Sequence, residues 1–303
     1  MTLYNDYGTW IQRLTGGKVQ KIAVDAGLTC PNRDGTKAVG GCSFCDNGAF
    51  NPVYCDRRKS VSQQIEDGKK FFEHKFKGNR YLVYFQAFSN TYAPLPHLRR
   101  LYEEALSAEG VVGLVIATRP DCVDKDILDY LQTLNRKHLV IVEYGIESTE
   151  DSTLRRINRG HDFQTSVKAI EATRRRGILT AAHVILGLPG EDRETMIRQA
   201  SAVSATGVDI LKIHQLQLIR GTRLAKDYNR QPFPLLSLDG YLPLLADYIR
   251  RLRPEIALER FVSVSPRDML IGPKWGLKSY EFEQLFRKYL ESHDYRQGDL
   301  LFP

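Results

Sequence analysis

DAGLTCPNRDGTKAVGGCSFCDNGAF, Asp25 to Phe50, gathers Cys30, Cys42 and Cys45 in one loop rich in Gly, Asn and Pro. Cys42-Ser43-Phe44-Cys45 sets two thiolates two residues apart, close enough to grip one metal centre, and the eleven residues Pro31 to Gly41 separate Cys30 from that pair. The apolar run Ile22-Ala23-Val24 just ahead reads as a strand ending at the cysteines. Three cysteines at the carboxyl end of a first strand point to an iron–sulfur centre with one iron left open. Spacing alone leaves a structural zinc knot closed by Cys55 level with that reading. Structural zinc loops usually carry two paired CxxC units, however, and Cys55 has no close partner in the sequence.

Outward from this loop, short apolar runs alternate with helical spacings. Val19–Val24, Tyr81–Phe85, Val111–Ala117, Leu139–Gly145, Ile178–Leu186 and Ile210–Leu218 read as strands. Helices are expected around Tyr7–Leu14 and over Ser60–Phe76, Leu98–Leu106, Asp124–Leu134, Asp162–Arg176 and Arg193–Ala205. Such alternation implies parallel βαβ units, and six are too few for a closed eight-stranded barrel. An α/β fold follows, either a partial (β/α)6 TIM-like barrel or a flat doubly wound sheet. In both, ligands bind at the carboxyl ends of the strands. The unusual residues fall there: Cys30, Ser89, Arg119, Glu147, Gly187 and Gln217. The chain divides into a lead-in, 1–18, a barrel, 19–220, and an α/β extension, 221–303, that would cover the open barrel. Within the extension, Leu235–Arg253 and Tyr280–Ser292 look helical, and Ile256–Val264 reads as a strand.

At 303 residues, 42% hydrophobic and 26% charged, the sequence suits an ordinary globular chain with a large core. No apolar run approaches the roughly 20 residues that span a bilayer, so no membrane partner is expected. Met1–Trp10 does not read as a signal peptide. Five cysteines, three of them in one loop, fit a reducing cytoplasm and metal ligation better than a disulfide framework. Net charge is +7, with arginine pairs at 57–58, 99–100, 155–156 and 250–251 and a triplet at 174–176. A phosphate-rich partner would favour this balance, and solvated helix faces explain it equally well.

Cys30…Cys42-x-x-Cys45, with Phe44 before the last cysteine, resembles the cluster loop of radical S-adenosylmethionine (SAM) enzymes. The likeness continues through Ser89-Asn90-Thr91, Thr118-Arg119-Pro120-Asp121, Gly145-Ile146-Glu147-Ser148 and Asn158-Arg159-Gly160-His161. It extends to Gly187-Leu188-Pro189-Gly190-Glu191 and Ile219-Arg220-Gly221-Thr222, and together these are similar to the radical domain of the Elongator catalytic subunit. Over nearly its whole length, with Asp25-Ala26-Gly27 and Cys30-Pro31-Asn32-Arg33-Asp34-Gly35, the chain resembles the bacterial YhcC-type family of short stand-alone radical SAM proteins. The commonest radical SAM spacing, CxxxCxxC, has three residues where this chain has eleven; the Elongator group also has a long first spacing. No acetyltransferase domain follows, so acyl transfer is not carried over.

The resemblance implies a 4Fe–4S cluster on Cys30, Cys42 and Cys45, with S-adenosyl-L-methionine chelating the fourth iron. One electron, from a flavodoxin- or ferredoxin-type donor, would cleave SAM to a 5′-deoxyadenosyl radical, which needs a dry, enclosed site. By the same resemblance, Ser89, Asn90 and Thr91 receive the SAM amino group, Glu147 the ribose hydroxyls and Arg159 the SAM carboxylate. His183 stands where relatives place an acid at the ribose, and Phe44 and the Gly187 turn flank adenine. Taken one at a time, these residues read equally well as turn residues, surface charges or a core histidine. Lys212 and His214 share one face of the sixth strand; if it lines the lumen, His214 touches substrate or moves a proton, and an outward pair touching a helix is at least as good a reading. In the extension, Arg260, Arg267, Lys274 and Trp275 would offer a basic-aromatic surface to a nucleotide, and scattered surface charge explains them equally well. Cys55 and Cys122 read as small buried side chains. The substrate expected from the Elongator-like motifs and the positive charge is tRNA, modified on the carbon-5 side chain of wobble uridine. A small metabolite or protein substrate, and a zinc-dependent nucleic-acid-binding module, are the alternatives.

Overall fold

The structure, a computed structural model, describes residues 2–46 and 51–301. The last four residues of the Asp25–Phe50 stretch therefore lie outside the described residues, as do positions 1, 302 and 303 at the ends of the lead-in and the extension. The first half of the chain runs α1 (Tyr7–Thr15), β1 (Gln20–Val24), α2 (Val61–Phe72), β2 (Tyr81–Phe85), α3 (Leu95–Ser107), β3 (Val111–Thr118), α4 (Lys125–Asn135) and β4 (Leu139–Glu147). There follow α5 (Asp151–Arg156), α6 (Phe163–Arg174), β5 (Leu179–Leu186), α7 (Arg193–Ala205), β6 (Ile210–Gln215) and β7 (Leu218–Ile219). The remainder is α8 (Arg223–Arg230), α9 (Leu238–Ile249), β8 (Ala257–Arg260), β9 (Leu270–Gly272) and α10 (Ser279–Ser292).

One seven-stranded sheet runs β1-β2-β3-β4-β5-β6-β8, every neighbouring pair parallel. The order never reverses, which removes the doubly wound alternative, since that fold turns back at a switch point. The sheet curls as a half-barrel. Its outward side chains, among them Phe85, Ile116, Val142, Val184 and Ile213, pack with apolar residues of the helices in the largest core cluster. Its inward side chains at the amino-terminal end are Ala23, Leu82, Val115, Ile141, Ala181, Ile210 and Ala257. Tyr7 and Ile11 of α1 pack into that inner layer, where the three alanines leave room for a helix. Asp6 caps α1 by accepting from the Thr9 amide at 2.8 Å, and Leu258 of the edge strand donates its amide to Asn5 O. The lead-in thus plugs the bottom of the lumen.

The expected sixth strand, Ile210–Leu218, is shorter and splits. Gln215 and Gln217 both donate to Ser263 O, at 3.0 and 2.9 Å, which turns the chain so that β7 pairs antiparallel with β9. Six expected strands become seven because β8, from the extension, continues the sheet beside β6. The helix expected over Ser60–Phe76 stops at Phe72, and α5 and α8 had no expectation behind them, being only 6 and 8 residues long. No helix among the described residues is long and apolar enough to cross a membrane.

Candidate active site

Above the apolar layer, inward positions of the same strands turn polar. Glu143 on β4 is the hub of this second layer. Its carboxylate takes Lys212 Nζ of β6 at 2.6 Å, His183 Nε2 of β5 at 2.6 Å and the Tyr84 hydroxyl of β2. Lys212 also reaches Glu259 Oε1 of β8 at 3.4 Å, and Glu259 pairs with Lys21 of β1 at 2.7 Å, joining the two edge strands. Burial pushes the Glu143 carboxyl up, yet Lys212 and His183 outweigh it and hold it well below the ordinary range. Burial pushes Lys212 down from its usual value. One layer higher, the rings of His183 and His214 stack 5.2 Å apart, with His183 Nδ1 at 3.2 Å from His214 Nε2.

The mouth is built by loops. The cysteine loop is tied to the segment after α5: Ser43 donates its amide to Ile157 O at 2.8 Å, Asn158 Nδ2 donates to Gly41 O, and Asn32 Nδ2 to Asn158 O. From above, the Leu224 amide in the first turn of α8 donates to Ser43 O at 2.8 Å. β4 carries a bulge between Gly145 and Glu147, and Glu147 adopts φ +70°. The bulge aims Glu147 at Arg159, 3.6 Å away. Gly145 must lack a side chain, because a Cβ there would sit 2.4 Å from Glu147 Oε1 and 2.6 Å from Arg159 Nη2. Phe88 and Asn158 also hold positive φ without being glycine, so left-handed strain gathers at this rim.

One cavity of about 240 Å³ joins mouth and lumen. Of the residues singled out in the sequence, Cys30, Cys42, Cys45, Phe44, Ser89, Glu147, Arg159, His183 and His214 line it. Asn90 and Thr91 do not line it. Asn90 Nδ2 donates to Phe85 O and Ala117 O, while Thr91 Oγ1 meets Thr118 Oγ1 and Cys122 O, both at 2.6 Å. Gly187 also stands back from it: the amide donates to Met196 Sδ at 3.0 Å, and Ile185 forms the wall instead. Arg260 lines the cavity and is exposed, and Trp275 is packed between Tyr241 and Phe282 with its indole N–H given to Leu236 O. Sequence reasoning missed Glu143, Tyr84, Lys21 and Glu259. A glutamate amid the apolar run Leu139–Glu147 was the available signal, because a strand interior takes a charge only where partners converge.

The donor set at the mouth fits a thiolate-held anionic cluster. Asn32 Nδ2 and Arg159 Nη1 approach Cys42 Sγ at 3.6 and 3.5 Å. Arg159 Nε and Arg119 Nη1 are buried without a partner. Burial opposes the Arg159 charge, but Cys42 and Glu147 hold the guanidinium above its ordinary value. Cys55 is placed elsewhere, donating its thiol to Ala23 O at 3.0 Å, so it does not complete a four-thiolate knot. Burial raises Cys55 and Cys122 to about 12 each.

A curled parallel half-barrel with three cysteines and buried arginines at its mouth defines an α/β barrel with a thiolate site at the carboxyl ends of its strands. Residues 30–200 match the Radical SAM superfamily model, and residues 208–292 match the Radical_SAM C-terminal domain. The chain is 40% identical over 283 residues to YtqA of Bacillus subtilis, covering 93% of this chain and 88% of that one. It is 34% identical over 292 residues to YhcC of Escherichia coli, covering 96% and 93%. A 187-residue stretch is 25% identical to the tRNA uridine(34) acetyltransferase of Methanocaldococcus jannaschii, 60% of this chain and 33% of that one. The fold matches Methanocaldococcus infernus Elp3 with a TM-score of 0.71 at 17% identity, over 92% of this chain and 64% of that chain. The chain belongs to the radical SAM superfamily, among the YhcC-like proteins, whose cofactors are a 4Fe–4S cluster and SAM.

Proposed function

We propose that Cys30, Cys42 and Cys45 hold the 4Fe–4S cluster and that SAM occupies the cavity beside it. The observation that carries this is the convergence of the three cysteines, two partly unpartnered buried arginines and two lumen histidines on one cavity. With both cofactors bound, the site would supply reductive cleavage of SAM and hydrogen-atom abstraction from substrate, the electron coming from a flavodoxin- or ferredoxin-type donor. The chain's own work is positioning. Arg159 pairs with the SAM carboxylate, Ser89 accepts from its amino group, and Glu147 and His183 face the ribose. Asn90, Thr91 and Gly187 act one step back, Asn90 and Thr91 by fixing the loop that carries Ser89 and Gly187 by shaping the turn beyond Ile185. The α1 plug and the apolar inner layer close the bottom of the lumen against water. His214 is the catalytic residue on the substrate side.

The substrate reading is a tRNA, modified in the cytoplasm on the carbon-5 side chain of wobble uridine. The similarity to a tRNA uridine(34) acetyltransferase and the net charge of +7 support it. Anaerobic reconstitution with SAM and dithionite tests the chemistry by 5′-deoxyadenosine release; colourless protein without iron sinks it. Gene deletion followed by mass spectrometry of tRNA nucleosides tests the substrate. An unchanged set of modifications removes tRNA and leaves a small metabolite or a protein.

A further inference from the structure

The cavity holds four arginines, and three are engaged by the protein itself. Arg33 donates to Cys45 O at 2.9 Å, Arg119 grips Asp121 through two nitrogens at 2.9 Å, and Arg159 donates to Gly145 O at 2.6 Å. Arg260 lines the same cavity with no hydrogen bond or ion pair among the described residues. The charges beneath it cancel, Glu143 and Glu259 against Lys21 and Lys212. Among the described residues, Arg260, itself exposed, therefore stands without a partner carboxylate on the extension's side of the lumen.

Beside it, the histidine pair has a definite polarity when His183 is neutral. An ionised Glu143 can only accept, so His183 Nε2 carries the proton at that 2.6 Å contact. His183 Nδ1 is then a lone pair that accepts from His214 Nε2–H. His214 Nδ1 is left as a bare lone pair, buried and without a partner. The groups that bear on this ring are Glu143 of β4, His183 of β5, Lys212 of β6 and Arg260 of β8. Burial keeps the ring neutral, and the balance of these charges acts in the same direction.

We propose that Arg260 and His214 form a subsite for an anionic oxygen group of the substrate, a carboxylate or a phosphate, held by the guanidinium with a neighbouring N–H or O–H received by His214 Nδ1. Guanidinium binds both anions bidentately, so the recognition chemistry is shared. The adjacent acceptor adds direction: the ligand presents a donor next to its charge. The subsite rests on the cavity being the radical active site and is independent of the tRNA reading.

The probes are sodium phosphate and sodium acetate at constant ionic strength. Holoenzyme with an oxidised cluster, labelled with 15N-histidine, is followed by the His214 ring signals in wild type, Arg260→Lys and Arg260→Ala. At least one anion saturates the shift in wild type with a dissociation constant on the order of tenfold below that of Arg260→Ala, the lysine variant falling between. Phosphate acting alone assigns a phosphate group; acetate acting, alone or with phosphate, assigns a carboxylate. Equal behaviour of wild type and Arg260→Ala toward both anions, or no response in either, overturns the subsite. SAM cleavage by the same wild-type preparation separates the two levels. Cleavage without an anion response removes the subsite and keeps the active site; an anion response without cleavage overturns the active-site reading, and with it the assignment of the anion site to substrate.

Discussion

The two ends of the cavity are built on opposite rules. At the lumen floor, nearly every charge is answered by another: Glu143 by Lys212 and His183, Glu259 by Lys21. At the mouth, thiols and guanidiniums stand together with Arg159 Nε and Arg119 Nη1 unpartnered. The floor stands on rigid strand interiors, whereas the mouth stands on loops pinned by backbone hydrogen bonds. A charge-paired network contributes shape and a fixed field, although Glu259 Oε2 and His214 Nδ1 there also lack hydrogen-bond partners; unpartnered guanidinium donors at the mouth are set to receive a ligand. Mutations should therefore divide: mouth residues tell in activity and floor residues in stability.

The largest effect expected is at the mouth. Cys42→Ala should lose bound iron and reduce 5′-deoxyadenosine formation on the order of a thousandfold or more, with little change in thermal midpoint of the cluster-free protein. Iron content, visible absorption and product release measure it; a normal cluster in this variant would break the comparison from its upper side. Next comes the floor. Glu143→Ala strands the Lys212 ammonium, both groups being 1% exposed, and should cost about 3–5 kcal/mol by denaturant unfolding. Glu143→Leu combined with Lys212→Met should recover most of that loss.

The same carboxylate sets a pH signature. Its folded pKa lies below the ordinary 4.5, so its contribution is fully present above the unfolded value and is lost as pH falls through the folded one. The stability gap between wild type and Glu143→Ala should therefore narrow below about pH 4.5, and a gap that widens on acidification would contradict the pairing. A smaller effect returns to the mouth: Arg159→Lys should raise KM for SAM about tenfold while iron content stays unchanged. Smallest of all, Cys55 and Cys122, with thiol pKa values of about 12, should stay unalkylated by iodoacetamide at mildly alkaline pH in native holoprotein. Rapid labelling of Cys55 would reopen its candidacy as a ligand.

Much of the fold was legible because parallel strands buried on both faces read as continuous apolar runs, as Tyr81–Phe85 and Val111–Thr118 do. The cysteine loop was legible for a different reason: ligand spacing is local. The charged floor was not, since Glu143, Lys212 and Glu259 lie on three strands far apart in sequence, and each alone reads as an interruption. The place of Arg260 beside the lumen was not legible, because its strand was assigned to a covering extension, whereas β8 pairs with β6 and brings it, still exposed, to the cavity.

The order of residues by itself determined the alternation of strands and helices, the strand ends where chemistry gathers, and the three-cysteine loop, because each depends on periodicity or spacing within one segment. Which side chains share the lumen was decided only by tertiary structure. Curling seven strands around α1 sets the pairing of Lys21 with Glu259, the polarity of the Glu143–His183–His214 chain and the isolation of Arg260. Those are contacts across strands, and a one-residue slip of register would turn each of these side chains to the opposite face of the sheet.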